Sequence, residues 1–129
     1  MDTRKLQKIA VAALEDIKGR DIEVINTTKL TSMFDRIVIA SADSTRQVKA
    51  LARSVREKVE EAGGEVIGVE GEASGEWVLI DLGSIVVHVM QPAVRGHYNL
   101  EELWSARPTR AKSSGGAAGK AAPETEPAA

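Results

Sequence analysis

An α/β domain followed by a tail of different character is what this chain predicts, on three observations. Segments with apolar residues at helical spacing alternate with short runs of β-branched residues. Two strong strand patterns, Glu76 to Leu82 and Ile85 to Gln91, are separated only by Gly83 and Ser84. Beyond Trp104 no large apolar side chain occurs. At 129 residues the chain holds one core of ordinary domain size.

The first helix is predicted from about Asp2 to Lys18, where Leu6, Ile9, Ala10, Ala13, Leu14 and Ile17 share a face and Gly19 stops it. Asp21 to Asn26 reads as a short strand and Thr27 to Ser32 as a connector. Phe34 to Ala40 contains Ile37, Val38 and Ile39 in sequence, which suits a strand covered on both faces. Ser44 followed by Gln47 has the form of a capping box and opens a second helix. Val48, Leu51, Ala52, Val55, Val59 and Ala62 are its apolar face, and Gly63 and Gly64 end it. Its opposite face carries Arg46, Lys49, Arg53 and Arg56 within roughly an 80° arc, at 3.6 residues per turn. That face is either a solvated surface or a docking patch for an acidic or phosphate surface.

Glu65 to Val69 is predicted as a third strand, making a strand–helix–strand unit of the parallel-crossover type. A polar loop from Glu70 to Gly75 precedes the hairpin. With Gly83 and Ser84 as its turn, Leu82 faces Ile85, Ile80 faces Val87 and Val78 faces Val89. This aliphatic face belongs to the core. The other face carries Trp77, Leu79 and Asp81 beside Val86, His88 and Met90, and is equally suited to a covering helix or a binding partner. Pro92 closes the last strand, and Tyr98 to Trp104 forms a short helical segment with Leu100, Leu103 and Trp104 as its apolar contacts.

Composition removes several classes of function. There is no cysteine, hence no disulfide scaffold, thiol nucleophile or thiolate ligand. The formal net charge is −2, so no global positive field draws the chain to DNA or RNA. Residues 1 to 104 hold 13 basic and 17 acidic side chains, while 105 to 129 hold 4 and 2, so the extension is locally basic. Its Ala, Gly, Pro and Ser content cannot offset the entropy of ordering, and residues 105–129 are expected to be a disordered tail. Without a signal peptide pattern or a membrane-length apolar run, a soluble cytoplasmic protein is expected.

Catalytic chemistry finds no foothold. His88 and His97 are the only histidines. Asp81 and His88 share a hairpin face and could hydrogen-bond, but neither Ser74 nor Ser84 occupies a nucleophile elbow. The two histidines with Asp81 match no standard metal spacing. GxxxxGK and GxGxxG loops are absent, and Glu65, Glu70, Glu72 and Glu76 make the only Gly-rich loop of the domain acidic. No catalytic residue, cofactor or metal is assigned.

Four stretches carry a family resemblance: ALEDIKGRDIEVINTTKLTSMFDRIVIAS from Ala13, STRQVKALA from Ser44, GVEGEASGEWVLIDLGSIVVHVMQP from Gly68, and YNLEELW from Tyr98. In this order and spacing, across residues 2 to 104, the chain resembles the ribosomal silencing factors, or Iojap-related proteins. Phe34 and Arg36 stand where the family often has Ala and Tyr, and Ala42 where Gly is frequent. The resemblance implies a ribosomal silencing domain over residues 1–104, with a mixed central sheet flanked by helices, similar to the nucleotidyltransferase fold but without its paired acidic ligands. It implies translational repression: binding to the large ribosomal subunit through its L-fourteen protein and steric exclusion of the small subunit, notably under starvation or in stationary phase. Large-subunit assembly is the alternative, and a nucleotide-binding enzyme the more remote one. Trp77, Leu79, Asp81, His88 and Met90 match or adjoin the family's characteristic strands, and Arg95, Tyr98, Leu100 and Trp104 its final segment; these are the expected partner-binding residues. A mixed face left open also suggests a homodimer of the free protein.

Overall fold

The computed structural model describes residues 1–100; Leu103, Trp104 and the tail predicted from Ser105 onward lie outside them. The chain runs α1 (Thr3–Asp16), β1 (Arg20–Asn26), β2 (Arg36–Ser41), α2 (Thr45–Glu61), β3 (Gly68–Glu70), β4 (Trp77–Asp81), β5 (Ile85–Met90) and α3 (Pro92–Tyr98). One five-stranded mixed sheet has the order β1-β2-β5-β4-β3. Only β2 and β5 pair in parallel, with Arg36 opposite Ile85 through to Ser41 opposite Met90. The other neighbours are antiparallel.

The Ile37–Ser41 run is buried throughout, as a central strand covered on both faces requires. The hairpin register is the one predicted: Val78 pairs with Val89 and Ile80 with Val87, and the Leu82 amide donates to the Ile85 carbonyl at 2.9 Å. Gly83, at φ +92°, supplies the positive φ that a two-residue turn of this kind needs at its first position. The strand–helix–strand prediction is correct in direction but not in adjacency. The chain passes from β2 through α2 to β3, which runs in the same sense yet lies at the far edge, with β5 and β4 between them. The hairpin has taken the place beside β2 because its longer strands, aliphatic along one face, fill a central position better than the three residues of β3.

Both long helices lie on the aliphatic side of the sheet. Leu6, Ala10, Ala13 and Leu14 of α1 and Val48, Leu51, Val55 and Val59 of α2 close over Val38, Ala40, Val78, Ile80, Val87 and Val89. Asp2 caps α1, accepting from the Lys5 amide at 2.8 Å. Ser44 caps α2 by accepting from the Gln47 amide at 3.1 Å. The capping box is shifted by one residue, since the Gln47 Oε1 accepts from the Asp43 amide rather than that of Ser44. The Gln47 Nε2 donates to the Ile17 carbonyl at 3.2 Å and so ties the end of α1 to the start of α2. Midway along this helix pair the buried Ser54 hydroxyl donates to the Ala13 carbonyl at 3.0 Å.

The loop before β4 is set by backbone contact. Gly71 has φ +89°, and a Cβ there would lie 2.0 Å from the Trp77 carbonyl oxygen. Gly63, at φ +90°, has open space around the same position. Gly63→Ala is therefore expected to cost about 1–2 kcal/mol from its backbone conformation alone. Gly71→Ala is expected to cost clearly more, because the clash is with main chain that cannot rotate away. Denaturant unfolding of the two variants checks this; equal losses would show that the Gly71 loop yields without effect on β4.

Candidate functional site

The described residues close the second face of the sheet only in part. Ile37, Ile39, Met90 and Leu100 form a small buried cluster, with Ile25, Phe34, Trp77 and Val94 packed around it. The cover is α3 and the chain just beyond it. The helix was not foreseen, because Pro92 reads as the end of a strand. In the structure Pro92 occupies the first turn, where its missing N–H costs nothing, and Asn99 closes the helix in the left-handed conformation at φ 50°. Pro at a helix start with Asn seven residues later is the signal that could have located it.

The predicted partner-binding residues gather on this side. Trp77, Leu79, Asp81, His88 and Met90 share the sheet face by register, with Trp77 opposite Met90, Leu79 opposite His88 and Asp81 opposite Val86. Arg95, Tyr98 and Leu100 come from α3 and its continuation, while Trp104 is outside the described residues. Their burial divides them. Met90, Leu100 and His88 are interior, Trp77, Leu79, Asp81 and Arg95 are half-buried, and Tyr98 is 51 % exposed. Phe34 and Val94 extend the cluster; Phe34 was read as the start of a strand and Val94 was not singled out, being an isolated apolar residue outside any periodic run.

The expected Asp81–His88 hydrogen bond is not formed. Asp81 Oδ1 accepts from the Gly83 amide at 2.9 Å and braces the hairpin turn. His88 Nδ1 accepts from the Trp77 indole N–H at 3.0 Å. Each side chain has met a nearer partner on the same face. The bond requires an unprotonated Nδ1, and burial supports it, lowering the His88 pKa from 6.5 to about 4. Trp77 in turn rests against Tyr98, with ring centroids 4.9 Å apart, and Tyr98 meets His97 edge-on at 4.8 Å. A row of rings thus runs from the buried imidazole out to solvent. Arg95 Nη1 donates to the Ser41 hydroxyl at 2.8 Å and holds α3 to the end of β2.

This arrangement presents aromatic and aliphatic groups on a rigid support. Among the described residues no three His, Cys, Asp or Glu side chains come together as a metal site, and no helix is long and apolar enough to cross a membrane. Residues 1–129 match the family model described as "Ribosomal silencing factor during starvation".

The chain belongs to the ribosomal silencing factor family. It is 57 % identical over 104 residues to the ribosomal silencing factor RsfS of Chromobacterium violaceum, covering 81 % of this chain and 85 % of that one. It is 37 % identical over 108 residues to RsfS of Bacillus subtilis, covering 84 % and 92 %. The crystal structure of a Chromobacterium violaceum protein superposes with a TM-score of 0.81 at 55 % identity, over 83 % of this chain and 89 % of that one. The silencing-factor resemblance read from the sequence is thereby confirmed, and the family's role is tied to the ribosome and its regulation rather than to catalysis.

The neutral, buried His88 makes stability depend on pH. Its folded pKa of about 4 lies below the unfolded value of 6.5, so between these values the unfolded chain binds the extra proton. Stability from this group is complete above pH 6.5 and falls as pH drops toward 4, by about 3 kcal/mol at 1.36 kcal/mol per unit. His88→Gln keeps an acceptor for the indole and removes the titration. Urea unfolding of both proteins between pH 7 and 4 is expected to show a flatter profile for the variant; parallel profiles would mean that burial leaves the His88 pKa at its unfolded value.

Proposed function

We propose that this protein represses translation by docking on the L-fourteen protein of the large ribosomal subunit and excluding the small subunit by bulk. The carrying observation is the second face of the sheet, where, among the described residues, Trp77, Leu79, Asp81 and Tyr98 stand accessible over a packed base. Family membership points the protein to the ribosome, and this face is the surface we assign to that contact. Silencing of this kind needs occupancy, not turnover, and the face offers aromatic anchors of the type that dominate interface energetics. The scaffold is read as a nucleotidyltransferase-like sheet put to use as a docking platform, in the cytoplasm, when nutrients are short. In the free protein the same face pairs with a second copy, so dimer and ribosome compete for it.

The primary test is sucrose-gradient sedimentation of the purified protein with isolated subunits. Migration with large subunits, and fewer joined ribosomes as protein is added, is the expected result. Migration with neither subunit, or with the small one alone, defeats the proposal.

Single substitutions separate anchor from support. Trp77→Ala should reduce both stability and affinity, since it leaves the His88 Nδ1 buried without its donor, at a cost of about 1–3 kcal/mol. Tyr98→Ala removes an exposed ring and is expected to change stability by no more than about 0.5 kcal/mol. Its affinity for large subunits should fall at least tenfold, or about 1.4 kcal/mol. Unaltered binding by the Tyr98 variant would remove α3 from the contact.

A further inference from the structure

The charges on α2 are arranged against the helix's own dipole. From Thr45 to Arg56 the helix carries four basic residues and no acidic one, whereas Glu57, Glu60 and Glu61 crowd its C-terminal end beside a single cation, Lys58. A helix is stabilised by the opposite distribution, with acids near the positive N-terminus and bases near the negative C-terminus. Fold stability therefore does not account for this pattern. Nor do ion pairs: of the four, only Arg56 meets an acid, Glu72, at 3.9 Å. Arg46, Lys49 and Arg53 are exposed, form no ion pair among the described residues, and line a shallow groove with Thr45 and Ala50.

We infer that this outer face of α2 is a second docking surface, and that its occupant is the phosphate backbone of ribosomal RNA in the large subunit. The inference rests on the ribosomal reading above and adds a partner to it. Charge complementarity identifies the occupant. Three exposed cations at i, i+3 and i+7 give a positive strip about 10 Å long, at 1.5 Å rise per residue, enough to follow consecutive phosphates. The field of the first helical turns adds to theirs rather than offsetting it. The rest of the protein is acidic on balance, so the strip is a local feature and not a general attraction to nucleic acid. Although α2 packs on the opposite side of the sheet from α3, its N-terminal end is held near that helix. The Gln91 side chain donates to the Thr45 hydroxyl at 3.3 Å and to the Gly75 carbonyl at 3.2 Å, fixing the start of α2 beside the start of α3 at the rim of the sheet. The contacts made here are with phosphates alone, so the surface adds affinity and orientation without reading sequence.

The test uses the full chain and a triple variant, Arg46→Gln, Lys49→Gln and Arg53→Gln. Binding is measured over a range of salt concentrations to three probes: purified large subunits, protein-free large-subunit RNA, and the isolated L-fourteen protein. The variant should bind large subunits at least tenfold more weakly at low salt, with the slope of log affinity against log salt reduced by about 2–3. Its affinity for the isolated protein should be unchanged, and it should melt no earlier than the native chain, since unfavourable dipole interactions have been removed. Arg46→Lys with Arg53→Lys should keep the native slope. Unchanged affinity and slope on large subunits would overturn the inference. So would equal weakening on the isolated L-fourteen protein, which would make the helix a protein contact. If the native chain fails to bind large subunits, the silencing proposal falls on its own; salt-dependent binding to protein-free RNA, lost in the triple variant, would still establish the helix face, and its absence would dismiss it.

Discussion

The parallel ladder between β2 and β5 is the constraint on which the other parts of the domain depend. Its paired residues stand 49 positions apart in sequence, as in Arg36 with Ile85, so it joins the two halves of the chain. Both strands are lined almost continuously with β-branched residues and buried on both sides. On one side they carry the seat for α1 and α2. On the other, Ile37, Ile39 and Met90 form the base under α3. Every strand further out, and every helix, attaches to this pair or to a neighbour of it.

The two faces of the sheet solve different problems. The aliphatic face is sealed by two helices, and the polar groups admitted there are few and satisfied, as with Ser54 on the Ala13 carbonyl. The second face is stiff at its base and open above it. His88, the one buried imidazole among the described residues, is kept neutral by the same burial that lets it accept from Trp77. That bond fixes the indole, and the indole supports Tyr98. A buried side chain thus positions the rings proposed to meet a partner, so removing the support and removing the contact are different experiments.

Much of the fold was legible in the sequence because its signals are local. The hairpin register followed from two turn residues and an alternating pattern, and the buried central strand from three consecutive β-branched residues. Sheet order was not legible. A strand–helix–strand pattern fixes direction but does not say how many strands the helix passes over, and here it passes over two. The end of α1 was assigned to Gly19, but Lys18, at φ 63°, already makes the left-handed turn. The candidate face was found by register alone, whereas the pairing within it depended on distances that periodicity does not carry. Asp81 therefore turned toward its own turn and His88 toward Trp77. The silencing-factor signature spans all these elements, which is why it survived errors in the detail of any one of them.

The separation between β2 and β5 also has a kinetic meaning. Closing so long a loop is entropically costly and must precede the contacts that reward it, which makes formation of the ladder a late and cooperative event. During synthesis, α1, β1, β2 and α2 leave the ribosome before any residue of β5 does, and the second face has no base until β5 is in register and Leu100 has folded back beneath it. A nascent or partly unfolded chain accordingly displays no half-strength version of this surface. On the proposed reading, the chain can dock only after β5 has joined the sheet and Leu100 has closed beneath it.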